Sequence, residues 1–283
     1  MGLSIEDITY VYDSDTAMAV NALNHITTTI PDDQFIGLIG HTGSGKSTFV
    51  QMLNGLLAPT TGRILYNGED IHGDGYDRKQ LHANVGLVFQ YPEHQLFEQD
   101  VITDVMFGPK NLGKNEEEAR QAAEEALSRV GLSSEYYKSS PFDLSGGQKR
   151  RAAIAGVLAM HPKILILDEP TAGLDPRGRD EILNLIRKMK EEMKMTIVLV
   201  SHSMDDVANY VERIMVMNSG QIALDGTPNE VFAHVEELES MGLAAPQITY
   251  IMRHLKDLGM DVDTTPLTIE EAAKEILSAL KGH

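Results

Sequence analysis

Short uninterrupted apolar runs punctuate this chain at Phe35-Ile36-Gly37-Leu38-Ile39, Val85-Gly86-Leu87-Val88-Phe89, Ile164-Leu165-Ile166-Leu167 and Thr196-Ile197-Val198-Leu199-Val200. Runs this short, bounded by polar or glycine-containing segments, predict strands buried on both faces. Between them the spacing turns helical, from Lys46 to Leu57 and again from Arg179 to Lys194. The stretch from Val101 to about His161 has a different character, with Ala122, Ala126, Leu127 and Val130 at helical spacing behind Glu116-Glu117-Glu118. It predicts a helical insertion between two halves of a sheet, and the three glutamates suit the positive end of a helix dipole. Ile5 to Ile30 mixes β-branched, aromatic and polar residues and predicts short strands. Arg213–Asn218 and Gln221–Asp225 predict a hairpin turning at Ser219-Gly220. Beyond Thr227-Pro228 the pattern is helical to His283, with a break around Gly242 to Pro246. No internal repeat or low-complexity linker interrupts this order.

Composition narrows the function classes. The chain has 283 residues, 42% of them hydrophobic and 23% charged, which suits a soluble globular protein with one large core or two smaller ones. A formal net charge of −18 argues against the basic surface on which non-specific nucleic-acid binding depends. There is no cysteine, hence no disulfide framework, thiolate metal site or cysteine nucleophile. The N-terminus lacks the apolar core of a secretion signal, and no apolar run is long enough to span a bilayer. Any membrane connection is therefore expected through a partner. Met189, Met193 and Met195 read as core filling.

Candidate chemistry begins at Gly40-His41-Thr42-Gly43-Ser44-Gly45-Lys46-Ser47, a full phosphate-loop pattern placed after an apolar strand and at the start of a helix. The glycines let backbone N–H groups turn toward phosphate oxygens, and the helix start adds its dipole. Lys46 is expected on the β- and γ-phosphates and the Ser47 hydroxyl on Mg²⁺. A carboxylate for the same ion is expected where an apolar strand ends, which is where Asp168-Glu169 follow Leu167. Asp168 then holds Mg²⁺, largely through water, and Glu169 polarises the attacking water.

A second anion-binding helix end follows from Leu144-Ser145-Gly146-Gly147-Gln148, where Ser145 occupies an N-cap position and two glycines leave N–H groups uncovered. One chain carries one phosphate loop, so this second end is expected to serve a nucleotide held by another subunit. Here the sequence resembles the ATP-binding-cassette (ABC) ATPases over nearly its whole length, with Ser145, Gly146, Gly147 and Gln148 in the family signature. The resemblance implies an α/β phosphate-loop NTPase core with an inserted helical subdomain and an N-terminal antiparallel β region. It implies a cassette over 1–240, its helical subdomain at about 91–161, and a small C-terminal helical region over 241–283. It implies ATP and Mg²⁺ as ligands, bound by Gly40, Thr42, Gly43, Ser44, Gly45, Lys46, Ser47 and Thr48. It further makes Gln90 the glutamine that touches Mg²⁺ and water, Asp175 part of the loop crossing the dimer interface, and His202 the switch at the γ-phosphate. Tyr12, competing with Tyr10, is the aromatic expected to stack on adenine.

Val88 to Phe97, Phe107-Gly108-Pro109-Lys110-Asn111 and Ser140 to Ser145 sharpen this to a resemblance to the energy-coupling factor (ECF) importers, in particular to the second of their two related ATPases. That implies uptake of vitamins or metal ions at the cytoplasmic membrane face. The implied partners are a paralogous ATPase or an identical chain, a transmembrane coupling protein and a substrate-binding membrane protein. Asp32-Asp33-Gln34 departs from the family's usual glycine-glutamate turn. Glu93, Glu98, Asp100 and Asp104 cluster after Gln90 and are candidates to receive basic residues of the coupling protein, against the alternative of a solvated acidic face. Two other readings stay open, the ATPase of another ABC transporter such as an exporter, and a soluble ABC switch protein of translation or DNA repair. A single cassette and the absence of sustained heptads between the phosphate loop and Asp168 weigh against the latter.

Overall fold

A computed structural model describes residues 2–14, 16 and 18–281. The strands are β1 (Gly2–Tyr12), β2 (Val20–Pro31), β3 (Phe35–Ile39), β4 (Thr61–Tyr66), β5 (Glu69–Asp70), β6 (Val85–Val88), β7 (Ile164–Asp168), β8 (Thr196–Val200), β9 (Arg213–Asn218) and β10 (Gln221–Gly226). The helices are α1 (Lys46–Leu53), α2 (Arg78–Asn84), α3 (Val101–Asn111), α4 (Glu116–Arg129), α5 (Gly146–Leu158), α6 (Pro176–Met193), α7 (Met204–Tyr210), α8 (Pro228–Ala233), α9 (Val235–Ser240), α10 (Gln247–Asp257) and α11 (Ile269–Lys281).

The apolar runs lie side by side in a six-stranded sheet of order β10-β9-β3-β8-β7-β6, parallel except for β10. Alternation splits its residues between two cores. Leu165, Leu167, Ile197 and Leu199 pack with the helical insertion and α6, whereas Ile164, Ile166, Val198 and Val200 pack with α1 and the N-terminal sheet. That second sheet, β2-β1-β4-β5, is antiparallel throughout.

Several boundaries differ from the sequence reading for identifiable reasons. The N-terminal strands are not short: β1 has 11 residues and β2 has 12, broken by register shifts. Asp7 (φ 51°) and His25 (φ 53°) bend the pair locally and interrupt the alternation that would have marked a long strand. Helix α1 stops at Leu53, because Asn54 caps it and Gly55 (φ 77°) turns the chain. Helix α6 starts at Pro176, three residues before the periodicity suggested, because Asp175 caps it and proline fits the first helical position. Glu116 to Glu118 form the first turn of α4 behind an Asn115 capping box, as expected. The hairpin turn at Ser219-Gly220 has both φ angles positive, the geometry favoured between twisted strands. Asp33 takes φ 55° in the turn where the sequence departs from the family pattern. Beyond 241, Leu243, Ala245 and Leu267 join the main core, while Ile248, Met252, Val262 and Ala272 form a small core of their own.

Candidate active site

Strand β3 is buried at every residue and delivers its carboxyl end to the phosphate loop. At Gly40 (φ 157°) a Cβ would meet the Met217 carbonyl oxygen at 2.4 Å, and at Gly45 (φ 105°) the Ala22 carbonyl oxygen at 2.6 Å. Glycine is required at both positions, since close backbone approach leaves no room for a side chain. Gly43 (φ 82°) faces open space. Gly45 caps α1 without any side-chain bond, so its first N–H groups are left for a ligand. Lys46, 6% exposed, curls over the loop and donates from Nζ to the Gly40 carbonyl oxygen (2.7 Å) and to that of His41 (3.0 Å). Burial lowers its pKa, opposed by the charges of Glu169 and Asp168. The Ser44 hydroxyl is buried and unpartnered. His41 Nδ1 lies 2.8 Å from the Thr42 carbonyl oxygen.

The carboxylates arrive from β7. Ser47 Oγ donates to Asp168 Oδ2 at 3.4 Å. Burial, and then the neighbouring Glu169, raise the Asp168 carboxyl above its ordinary range. Glu169 takes a left-handed conformation (φ 49°), and both of its oxygens are engaged. Gln90 Nε2 donates to Oε2 at 3.1 Å, and His202 Nε2 lies 2.5 Å from Oε1. Three residues that are far apart in sequence thus meet at the carboxyl ends of β6, β7 and β8, where open parallel sheets bind ligands. Tyr12 is 39% exposed, and its hydroxyl lies 3.1 Å from Thr48 Oγ1 on α1, which puts its ring beside the phosphate-loop helix. Tyr10 is partly buried and packs edge-on to Tyr12 at 4.8 Å, which decides between the two for accessibility.

The second helix end has another construction. Ser145 and Gln148 form a reciprocal capping box at the start of α5, with bonds of 2.9 and 3.4 Å. Side chains added at Gly146 or Gly147 would meet nothing within 4 Å. Asp175 accepts from the Gly178 N–H at 2.7 Å as the cap of α6.

A family model described as ABC transporter matches residues 23–172. The energy-coupling factor transporter ATP-binding protein EcfA2 of Caldanaerobacter subterraneus is 53% identical over 282 residues, covering 100% of this chain and 99% of that protein. Its counterpart in Clostridium perfringens is 51% identical over 284 residues and is covered in full. This chain belongs to the energy-coupling factor ATP-binding proteins of the ABC transporter family. Among solved structures, cbiO1 of Clostridium perfringens, described as part of the ABC transporter complex cbiONQ, superposes with a TM-score of 0.75 at 40% identity, covering 89% of this chain and 98% of that one. A dimeric post-hydrolysis state of the cassette MJ0796 bound to ADP and Pi superposes with a TM-score of 0.70 at 27% identity, over 80% and 98% of the two chains. The sequence-based resemblance to the second ECF ATPase and to the ABC fold therefore holds, and the chain is an ATP-binding, ATP-hydrolysing transport subunit.

The acidic residues after Gln90 are mostly occupied by their own chain. Glu93 pairs with Arg150 at 3.1 Å, and Arg150 is 2% exposed. Asp104 is 9% exposed and accepts the Phe97 and Glu98 N–H groups at 2.7 and 2.9 Å, while Asp100 caps α3. Stripping such contacts would leave buried polar groups unpaired, so these side chains build the loop after Gln90. Arg150 also donates to the carbonyl oxygens of Pro170 and Ala172, both at 2.9 Å, and so joins α5, the Gln90 loop and the segment after Glu169. In sequence it is one of three consecutive basic residues, Lys149-Arg150-Arg151, with nothing to set it apart as functional except its position two residues after the signature glutamine.

Proposed function

We propose that this subunit binds ATP with Mg²⁺ between its phosphate loop and the signature helix end of a partner ATPase, and that Glu169 directs the attacking water. The supporting observation is the convergence of Gln90, Glu169 and His202 beside the Ser47–Asp168 pair. Backbone N–H groups around Gly43 to Lys46, with the Lys46 ammonium, suit the β- and γ-phosphates, and the unpartnered Ser44 hydroxyl suits the same oxygens. Ser47, Asp168 and Gln90 would hold Mg²⁺. The ion would supply charge neutralisation on the transferred group.

Glu169 is released from one of its two partners to orient water, and His202 and Gln90 hold the reacting arrangement. Tyr12 stacks on adenine, Ser145 to Gln148 complete the site from the partner subunit, and Asp175 lies at the boundary between the two. Replacing Glu169→Gln should lower turnover by about 10²–10⁴-fold with ATP binding retained. Turnover within a factor of a few of the unaltered protein would exclude Glu169 as the base.

The same reading assigns the subunit to an importer of vitamins or metal ions at the cytoplasmic membrane face, with a paralogous ATPase or second copy, a transmembrane coupling protein and a substrate-binding membrane protein. No described helix is long and apolar enough to cross a membrane. A cavity of about 510 Å³ lies just past the Gln90 loop, lined in part by Leu96, Phe97, Phe107, Leu112 and Met160. Phe97 and Phe107 are 58% and 46% exposed and pack edge-to-face at 5.1 Å. This groove, whose lining also includes the buried Asp104, is the surface on which the coupling protein docks. The 91–161 segment is the helical subdomain that carries both groove and signature. The exposed Ile269, Leu277 and Leu280 of α11 support a role for residues 241–283 in pairing. Removing everything after Asp225 would not test that role, because it also deletes the buried Val231, Phe232 and Leu238. Leu277→Glu with Leu280→Glu does, and unaltered pairing would exclude it.

A further inference from the structure

We propose that Arg179 is a positioning residue that makes the place of His202 follow the start of α6, and hence the loop around Asp175. The inference rests on His202 acting at the site as described above. Arg179 lies in the first turn of α6, its N–H bonded to the Asp175 carbonyl oxygen at 3.0 Å. Its guanidinium leaves that helix and reaches α7. Nε lies 3.0 and 2.8 Å from the two oxygens of Asp206, Nη2 lies 2.7 Å from Oδ1, and Nη2 also donates to Ser203 Oγ.

Ser203 directly follows His202 and caps α7 by accepting the Asp206 N–H at 3.2 Å. One guanidinium therefore grips both partners of the cap that ends the His202 loop. The loop has few other anchors. The Ser201 N–H donates to the Leu38 carbonyl oxygen at 3.3 Å and the Ser203 N–H to Ser201 Oγ at 3.0 Å. The His202 side chain is 46% exposed and pairs with Glu169. An imidazole this exposed, whose pairing with Glu169 must change during turnover, takes its place largely from its backbone, and a planar two-point fork fixes a backbone more tightly than a single charge does. Glu169, Thr171, Arg179, His202 and Ser203 line one cavity of about 340 Å³, so the tie runs along the wall of the reaction site. A shift of the Asp175 loop against a partner subunit would thus reach His202 through Arg179.

The simpler role for Arg179 is to neutralise Asp206, which is 8% exposed and whose carboxyl burial pushes up. Two variants separate the roles in the full chain assayed within its purified transporter. Arg179→Ala should lower kcat by about 10–100-fold, the scale of a small misplacement at a reacting centre. KM for ATP should stay within about twofold, as for a group acting only in the reacting state. Tm should fall too, because a buried carboxylate loses its partner. Adding Asp206→Asn to Arg179→Ala should restore Tm and leave kcat low.

Recovery of kcat together with Tm overturns the proposal, as does an unaltered kcat in Arg179→Ala. His202→Ala serves as the companion. Full turnover there overturns the switch reading and this inference with it. Loss of turnover there beside full turnover in Arg179→Ala/Asp206→Asn overturns the inference alone.

Discussion

Two helix starts in this protein suit an anion, and they are built in opposite ways. The start of α1 is shaped by its own chain: Gly40 and Gly45 are crowded by carbonyl oxygens of β9 and β2, their φ angles are positive, and no side chain caps the helix. The start of α5 is left open by its own chain. It has a complete capping box, and its glycines meet nothing within 4 Å and need no unusual backbone angle. Glycine in the first case is a condition of folding, and in the second the fold does not require it. That freedom is what the proposed contact with a partner subunit's nucleotide would use.

That contrast can be broken first at Gly45. Gly45→Ala places a methyl against the Ala22 carbonyl oxygen at a left-handed φ, so it should destabilise the fold by at least about 3 kcal/mol and abolish nucleotide binding. Chemical unfolding measures it, and a loss below about 1 kcal/mol would mean that the loop relaxes freely. Gly147→Ala is the mirror experiment. It should leave the isolated chain equal in stability, or about 0.5–1 kcal/mol more stable, since alanine is the better helix former. Turnover of the assembled complex should nonetheless fall by about 100-fold, the scale seen when one donor to a reacting oxyanion is lost. Preserved turnover would remove the role assigned to the α5 start.

Ser145→Ala separates capping from catalysis at the same place. Losing an N-cap costs about 1 kcal/mol, so a larger relative fall in turnover than in stability would locate the hydroxyl on nucleotide. A fall in stability alone would make it only a cap.

The smallest effect concerns Asp168. Its raised carboxyl means that the folded protein holds that proton more tightly than the unfolded chain does. Stability therefore declines as pH rises from the ordinary carboxylate range through the raised value, and it stays lower at neutral pH. Asp168→Asn should raise Tm at neutral pH by a few degrees while activity is lost, and should flatten that part of the pH–stability curve. A Tm that falls would show that the charge is better compensated than its burial implies.

Much of the fold was legible because the central strands are short, wholly apolar and bounded by polar segments, so β3, β7 and β8 could be read nearly residue by residue. The N-terminal hairpin was less so, since the bends at Asp7 and His25 hide its length. At the site, residues carried by local patterns were readable: Lys46 and Ser47 follow a glycine loop, Asp168 and Glu169 end an apolar strand, and Ser145 begins a helix. Arg150, Arg179 and Asp206 carried no such pattern. Their roles depend on which carbonyl or carboxylate another element brings within 3 Å or so, and nothing in their own neighbourhood records that.

The acidic residues after Gln90 make the same point in reverse. In sequence they form a charge cluster available to a partner, whereas the fold spends Glu93 on Arg150 and Asp104 on two backbone N–H groups. By itself, then, the chain's order of residues determined the strands, the helix starts and the kinds of chemistry they bear, because backbone geometry and burial period act over a few neighbouring residues. Only the tertiary structure decided which charges are free and which are held, because pairing is a matter of distances between groups that the fold brings together, from 6 residues apart at Asp104 to 57 at Arg150 and Glu93.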